Sequence, residues 1–234
     1  MRFALSACLL FALAACSSPD PAEAPPVAEP AAVTTTAEAD SGAVTVVYLG
    51  DSLTAGYGLP QGADQAYPAL IDAKADSLGI AVRTVNAGIS GDTSAGGLRR
   101  IDWLAGRQQI DVLVLALGAN DGLRGLPTDA LQANLEAMIE RARTSNPDVR
   151  VVLAGMMVPT NMGTGYAERF AEVFPAVARE QGVELVPFLL DRVGGVPALN
   201  QPDGVHPTTA GQRIMAETVW RVLGPVLNDA RVEA

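Results

Sequence analysis

Residues 44–59 read VTVVYLGDSLTAGYGL, an apolar run that stops at Gly50 and then presents Asp51 and Ser52. A strand apolar on both faces belongs inside a parallel sheet covered by helices, and the carboxyl end of such a strand is where open α/β sheets place ligands and chemistry. Ser52 therefore stands where a nucleophile would stand. Gly-Asp-Ser is equally a good helix start, with Asp or Ser as N-cap. Asp51 is expected to brace the turn by hydrogen bonding to backbone.

Downstream, apolar runs alternate with helical patterns, which implies an α/β fold with helices on both faces of a parallel sheet. Five strands are expected, at Val44 to Leu49, Val82 to Asn86, Val112 to Leu117, Val151 to Met156 and Glu184 to Pro187. Helices are expected over Tyr67 to Leu78, Thr93 to Leu104, Thr128 to Thr144, Tyr166 to Glu180 and Thr208 to Leu227. The crossovers should be right-handed, so the loops after the strands converge on one edge.

Upstream, residues 1–16 read MRFALSACLLFALAAC: one basic residue, a short apolar stretch and small residues before a cysteine. This is the pattern of a secretory signal. Leu13-Ala14-Ala15-Cys16 resembles the lipobox of bacterial lipoproteins, which implies a signal peptide over 1–15 and lipidation of Cys16. It also implies an exported protein anchored in the cell envelope, with Ser17 pointing to the periplasmic side of the outer membrane. Two or more acyl chains, at about 0.8 kcal/mol per buried CH₂, would hold it there stably. The alternative is an ordinary signal peptide and a periplasmic protein. Residues 17–42 are rich in Pro, Ala and Thr, with five acids and no base. They read as a disordered tether reaching roughly 30 Å as a coil and about 80 Å extended. The folded domain is then 43–234.

Composition excludes several function classes. The formal charge of −10 and the lack of a basic patch argue against nucleic acid as a partner. Cys8 and Cys16 are the only cysteines, so the domain has neither a disulfide nor a cysteine nucleophile. One histidine and no thiol make a zinc site improbable, and no Gly-Lys-Ser/Thr phosphate loop is present. Gly56-Tyr57-Gly58 lacks the third glycine of a dinucleotide fingerprint. No metal and no cofactor is expected. Asp92, Asp102 and Asp121 are expected to cap helices or face solvent rather than to form a glycosidase pair.

The converging loops are polar and glycine-rich. His206, the only histidine, follows Asp203 by three residues, a spacing that lets the carboxylate fix the ring tautomer and leave the other nitrogen as base. Pro207 keeps His206 out of the following helix. Asp203-Gly204 could equally be a plain turn. Acyl transfer also needs donors for a developing oxyanion; the candidates are the N–H of Ser52, the N–H of Gly91 and the side-chain amide of Asn120. Gly91 and Asn120-Asp121-Gly122 also read as turns.

Four blocks in order, GDSLTAGYG, NAGISGDTS, GANDGLRG and DGVHPTTAGQ, resemble those of the GDSL or SGNH hydrolases, and in particular the bacterial arylesterase, acyl-CoA thioesterase and lysophospholipase type. The resemblance covers Val44 to Leu227. It implies a flavodoxin-like three-layer fold with strand order 2-1-3-4-5, Ser52 as nucleophile, His206 as base oriented by Asp203, and an oxyanion hole from Ser52, Gly91 and Asn120. The substrate it implies is a small ester, thioester or lysophospholipid. Carbohydrate O-acetyl ester hydrolysis, or acyl binding without turnover, are the alternatives. Residues 156–166, with three methionines, are expected to wall the site through Met157, Pro159 and Met162; Met156 and Met157 could instead fill the core.

Overall fold

The computed structural model describes residues 42–233, so the expected signal peptide, the lipidated Cys16 and most of the tether lie outside the described residues. Five parallel strands form one sheet: β1 (Val44–Gly50), β2 (Val82–Gly88), β3 (Val112–Ala116), β4 (Arg150–Ala154) and β5 (Glu184–Val186), in the order β2-β1-β3-β4-β5. Every residue of β1 and of β3 is buried, as two-sided apolar patterning requires. At about 1.5–3 kcal/mol for each large apolar side chain removed from water, Val46, Val47, Leu49, Leu113 and Leu115 fix these two strands at the centre. The order reverses at β1 and β3, which places a switch-point crevice above their carboxyl ends.

The long helices are α2 (Tyr67–Ser77), α3 (Ser94–Ala105), α5 (Thr128–Ser145), α6 (Thr164–Gln181) and α7 (Thr209–Glu233). Two short ones, α1 (Ser52–Ala55) and α4 (Ala119–Leu123), follow β1 and β3 directly. α2 packs on α7, while α5 packs on both α3 and α6, giving the three expected layers. The strands and long helices fall within about three residues of their expected bounds, apart from the carboxyl end of α7. Asn120-Asp121-Gly122 is not the plain turn that was an open alternative but the body of α4, a helix too short to show periodicity.

Two glycines set the crevice. A Cβ on Gly50 would overlap the Thr54 side chain and lie 3.1 Å from the Ala116 carbonyl. One on Gly88 would run into the backbone of Thr54 and Ala55. Only glycine at both positions lets α1 sit down between the ends of β2 and β3. Buried Gln212 then ties that helix to its surroundings, accepting from the Tyr67 N–H at 2.9 Å and donating to the Leu53 carbonyl at 3.2 Å.

Candidate active site

Asp51 follows β1 and caps α1: its Oδ1 accepts the Leu53 N–H at 3.0 Å, the expected bracing of the turn. This leaves Ser52 as the first residue of the helix, partly exposed at the carboxyl edge of the sheet. No acceptor takes its N–H among the described residues.

His206 reaches the same point from the far end of the chain. Residues 200–207 close into a narrow loop through an antiparallel bridge between Asn200 and Pro207 and a 2.7 Å hydrogen bond from the Gln201 N–H to the His206 carbonyl. Within it Asp203 Oδ1 accepts the N–H groups of Val205 and His206 at 2.9 and 3.0 Å. Its Oδ2 lies 2.7 Å from His206 Nδ1. These hydrogen bonds, the one from the His206 N–H foremost, hold the Asp203 carboxyl down at about 2. An ionised carboxylate only accepts, so Nδ1 carries the proton and Nε2 presents its lone pair. The Ser52 hydroxyl, 3.0 Å away, donates to that lone pair. Tyr57 packs against the imidazole with ring centroids 4.6 Å apart and planes tilted by 44°, and Gln201 Nε2 donates to the Tyr57 and Pro207 carbonyls. The ring is thus held by a carboxylate at one edge and a tilted phenol ring beside it.

Asn120 and Gly91 come to the same crevice. Asn120 Nδ2 donates to the Asp92 carbonyl at 2.9 Å and lies 3.4 Å from Asp51 Oδ2. The first bond is good and the second long, so one amide hydrogen remains weakly committed. Gly91 has φ +80, a left-handed geometry that favours glycine, and its N–H has no acceptor among the described residues. Asp51 is 1% exposed, and burial raises its pKa to about 6.

The three acids set aside in the sequence divide. Asp102 faces solvent and pairs with Arg141. Asp121 is buried and accepts the N–H and hydroxyl of Ser94, capping α3 from another element. Asp92 does neither, a correction: it is nearly buried and pairs with Arg100 at 2.8 Å, because α3 turns that guanidinium inward. Of the expected acyl wall, Met157 and Pro159 are exposed while Met162 packs on the core beside Gly125. Met156, 5% exposed, is core. Tyr57, Gln201 and Arg100 were missed by sequence reasoning. Tyr57 had a signal in its flanking glycines, both at positive φ; the other two act through tertiary contacts that no local pattern reports. Among the described residues no group of His, Cys, Asp and Glu could hold a metal ion.

The chain has known relatives. The esterase TesA of Pseudomonas aeruginosa is 43% identical over 185 residues, covering 79% of this chain and 90% of that protein. The thioesterase 1/protease 1/lysophospholipase L1 of Escherichia coli strain K12 is 36% identical over 184 residues, 79% of this chain and 85% of that protein. The crystal structure of TesA superposes with a TM-score of 0.74 at 42% identity, covering 78% of this chain and 99% of that one. The GDSL-like lipase/acylhydrolase family matches residues 48–214, from the end of β1 through the His206 loop into α7, and the chain belongs to that family.

Proposed function

We propose that this protein hydrolyses carboxylic esters through Ser52 as nucleophile, His206 as general base and Asp203 as the group that orients it. The observation that carries the reading is the unbroken hydrogen-bonded series from Ser52 Oγ through the imidazole to Asp203. As Ser52 Oγ attacks the acyl carbon, its proton passes to His206 Nε2, and Asp203 stabilises the imidazolium that forms. The carbonyl oxygen becomes an oxyanion facing the N–H groups of Ser52 and Gly91 and the weakly committed amide hydrogen of Asn120, each such donor contributing about 3 kcal/mol. The imidazolium then protonates the leaving alkoxide or thiolate. Water, deprotonated by the same imidazole, releases the acid from the acyl-enzyme.

The loops around this crevice expose Tyr57, Ile89, Leu123, Leu126, Met157 and Val205. An apolar rim of that kind suits aryl and acyl groups, in keeping with aryl esters, acyl thioesters or lysophospholipids as substrates. Ser52→Ala and His206→Ala should each cut turnover of p-nitrophenyl acetate by at least about 10³-fold with the fold intact. Wild-type turnover in either variant would overturn the assignment.

We further propose export and anchoring to the cell envelope through lipidated Cys16, on the strength of the LAAC sequence at 13–16. Cys16→Ser should move the protein from the membrane to the soluble fraction; unchanged membrane retention would exclude lipid at that residue.

A further inference from the structure

The three proposed oxyanion donors stand on separate segments of the chain, and one guanidinium bonds to groups close in sequence to two of them. Arg100, on the inner face of α3, donates through Nε to Asp92 Oδ2 at 2.8 Å, through Nη1 to the Ala87 carbonyl at 2.6 Å and through Nη2 to the Gly50 carbonyl at 3.0 Å. Gly50 is two residues before Ser52, and Ala87 is the penultimate residue of β2, the strand that leads to Gly91. Asp92 follows Gly91 directly, and its own carbonyl accepts from Asn120 Nδ2. The guanidinium therefore links the Ser52 turn to the Gly91 loop, and through Asp92 reaches the third donor.

We infer that Arg100, with Asp92, is a positioning residue that holds the three oxyanion donors in register, an inference that rests on the proposed role of the Ser52 crevice. Side-chain exposures of 17% for Arg100 and 12% for Asp92 take both charges largely out of water. A pair desolvated in this way contributes little net stability, whereas a planar fork of donors fixes directions. Space has been cleared for it as well: a Cβ on Gly96 would overlap the Asp92 carboxylate, so glycine in the first turn of α3 lets that carboxylate lie flat against the helix. Lysine in place of Arg100 could keep the ion pair with Asp92 but could not span both carbonyls.

Two variants probe the pair from opposite sides, Arg100→Lys at the cation and Gly96→Ala beneath the carboxylate. Each is measured with p-nitrophenyl butyrate and with an alkyl trifluoromethyl ketone. Ser52 Oγ adds to the ketone carbon, its proton passing to His206, and the carbonyl oxygen becomes an oxyanion in the hole. Melting curves establish that each variant is folded at the assay temperature. We expect kcat to fall about 10- to 100-fold in both with KM within about threefold of wild type. Ketone affinity should fall in parallel and the pH dependence of kcat/KM should keep its shape. Arg100→Gln should lose more than Arg100→Lys. Folded variants that keep kcat and ketone affinity within twofold of wild type overturn the inference, and so does a loss carried by KM alone. Ser52→Ala, run beside them, separates the two levels: an active Ser52→Ala removes the catalytic reading itself. An inactive one with unaffected Arg100 and Gly96 variants removes only the role of the pair.

Discussion

Asp51 is the residue whose position is hardest to reconcile with stability alone. It lies beside the nucleophile, almost fully buried, and desolvation lifts its pKa to about 6. A carboxyl raised above its unfolded value of about 3.9 binds its proton more readily in the folded state. The sign follows: the group costs nothing below about pH 4, and stability falls as the pH rises from 4 through 6. Above that the full cost stands, on the order of 3 kcal/mol. Asp51→Asn keeps an oxygen for the Leu53 N–H while removing the charge. Its amide nitrogen then faces Asn120 Nδ2, donor against donor, where Asp51 Oδ2 had been an acceptor. The variant should melt higher than wild type at pH 8, lose that advantage at pH 4, and show reduced kcat throughout. Thermal melts at the two pH values decide it; a variant less stable at pH 8 than wild type would contradict the desolvation argument.

At the scale of elements, the two kinds of structure differ in what the chain announces. The five strands and five long helices were legible because apolar runs and helical periodicity repeat over several residues. α1 and α4 span four and five residues, too few for any period to register, and yet they carry Ser52 and Asn120. The loop that carries His206 was legible through Asp203 and Pro207. The bond from the Gln201 side chain to the Tyr57 carbonyl and the packing of Tyr57 on the ring were not, since they join residues 144 and 149 positions apart. Arg99 and Arg100 are adjacent on α3, and only the packed helix shows that Arg100 is the one that turns inward.

The same loop yields a test that a simple triad picture does not. Asp203 spends Oδ1 on two backbone N–H groups and Oδ2 on the ring. In Asp203→Asn the carbonyl oxygen should stay with the two N–H groups, leaving the amide nitrogen to donate to Nδ1. That forces the proton to Nε2, the wrong tautomer for a base toward Ser52. Asp203→Asn should therefore lose more kcat than Asp203→Ala, about 10³-fold or more against wild type. Equal or milder loss in the Asn variant would show that the ring is oriented chiefly by Tyr57 and the backbone.

For the whole molecule, the sheet order places β1 and β3 side by side and sends their loops to one edge, where the far carboxyl-terminal loop also arrives. Residues separated by 154 positions, Ser52 and His206, come within 3.0 Å because α7 packs against α2 and Gln212 bridges back to α1. The four sequence blocks are thus four loops of one sheet edge rather than four independent signals, which is why their order along the chain carried the fold as well as the chemistry. An activated Ser52 is the central requirement of this chemistry. Treatment of the purified protein with a fluorophosphonate, followed by peptide mass spectrometry, should give one adduct per chain on the peptide bearing Ser52, with activity lost in step with labelling and no adduct in His206→Ala on the same time scale. Labelling elsewhere, or stoichiometric labelling of Ser52 with ester hydrolysis undiminished, would contradict it.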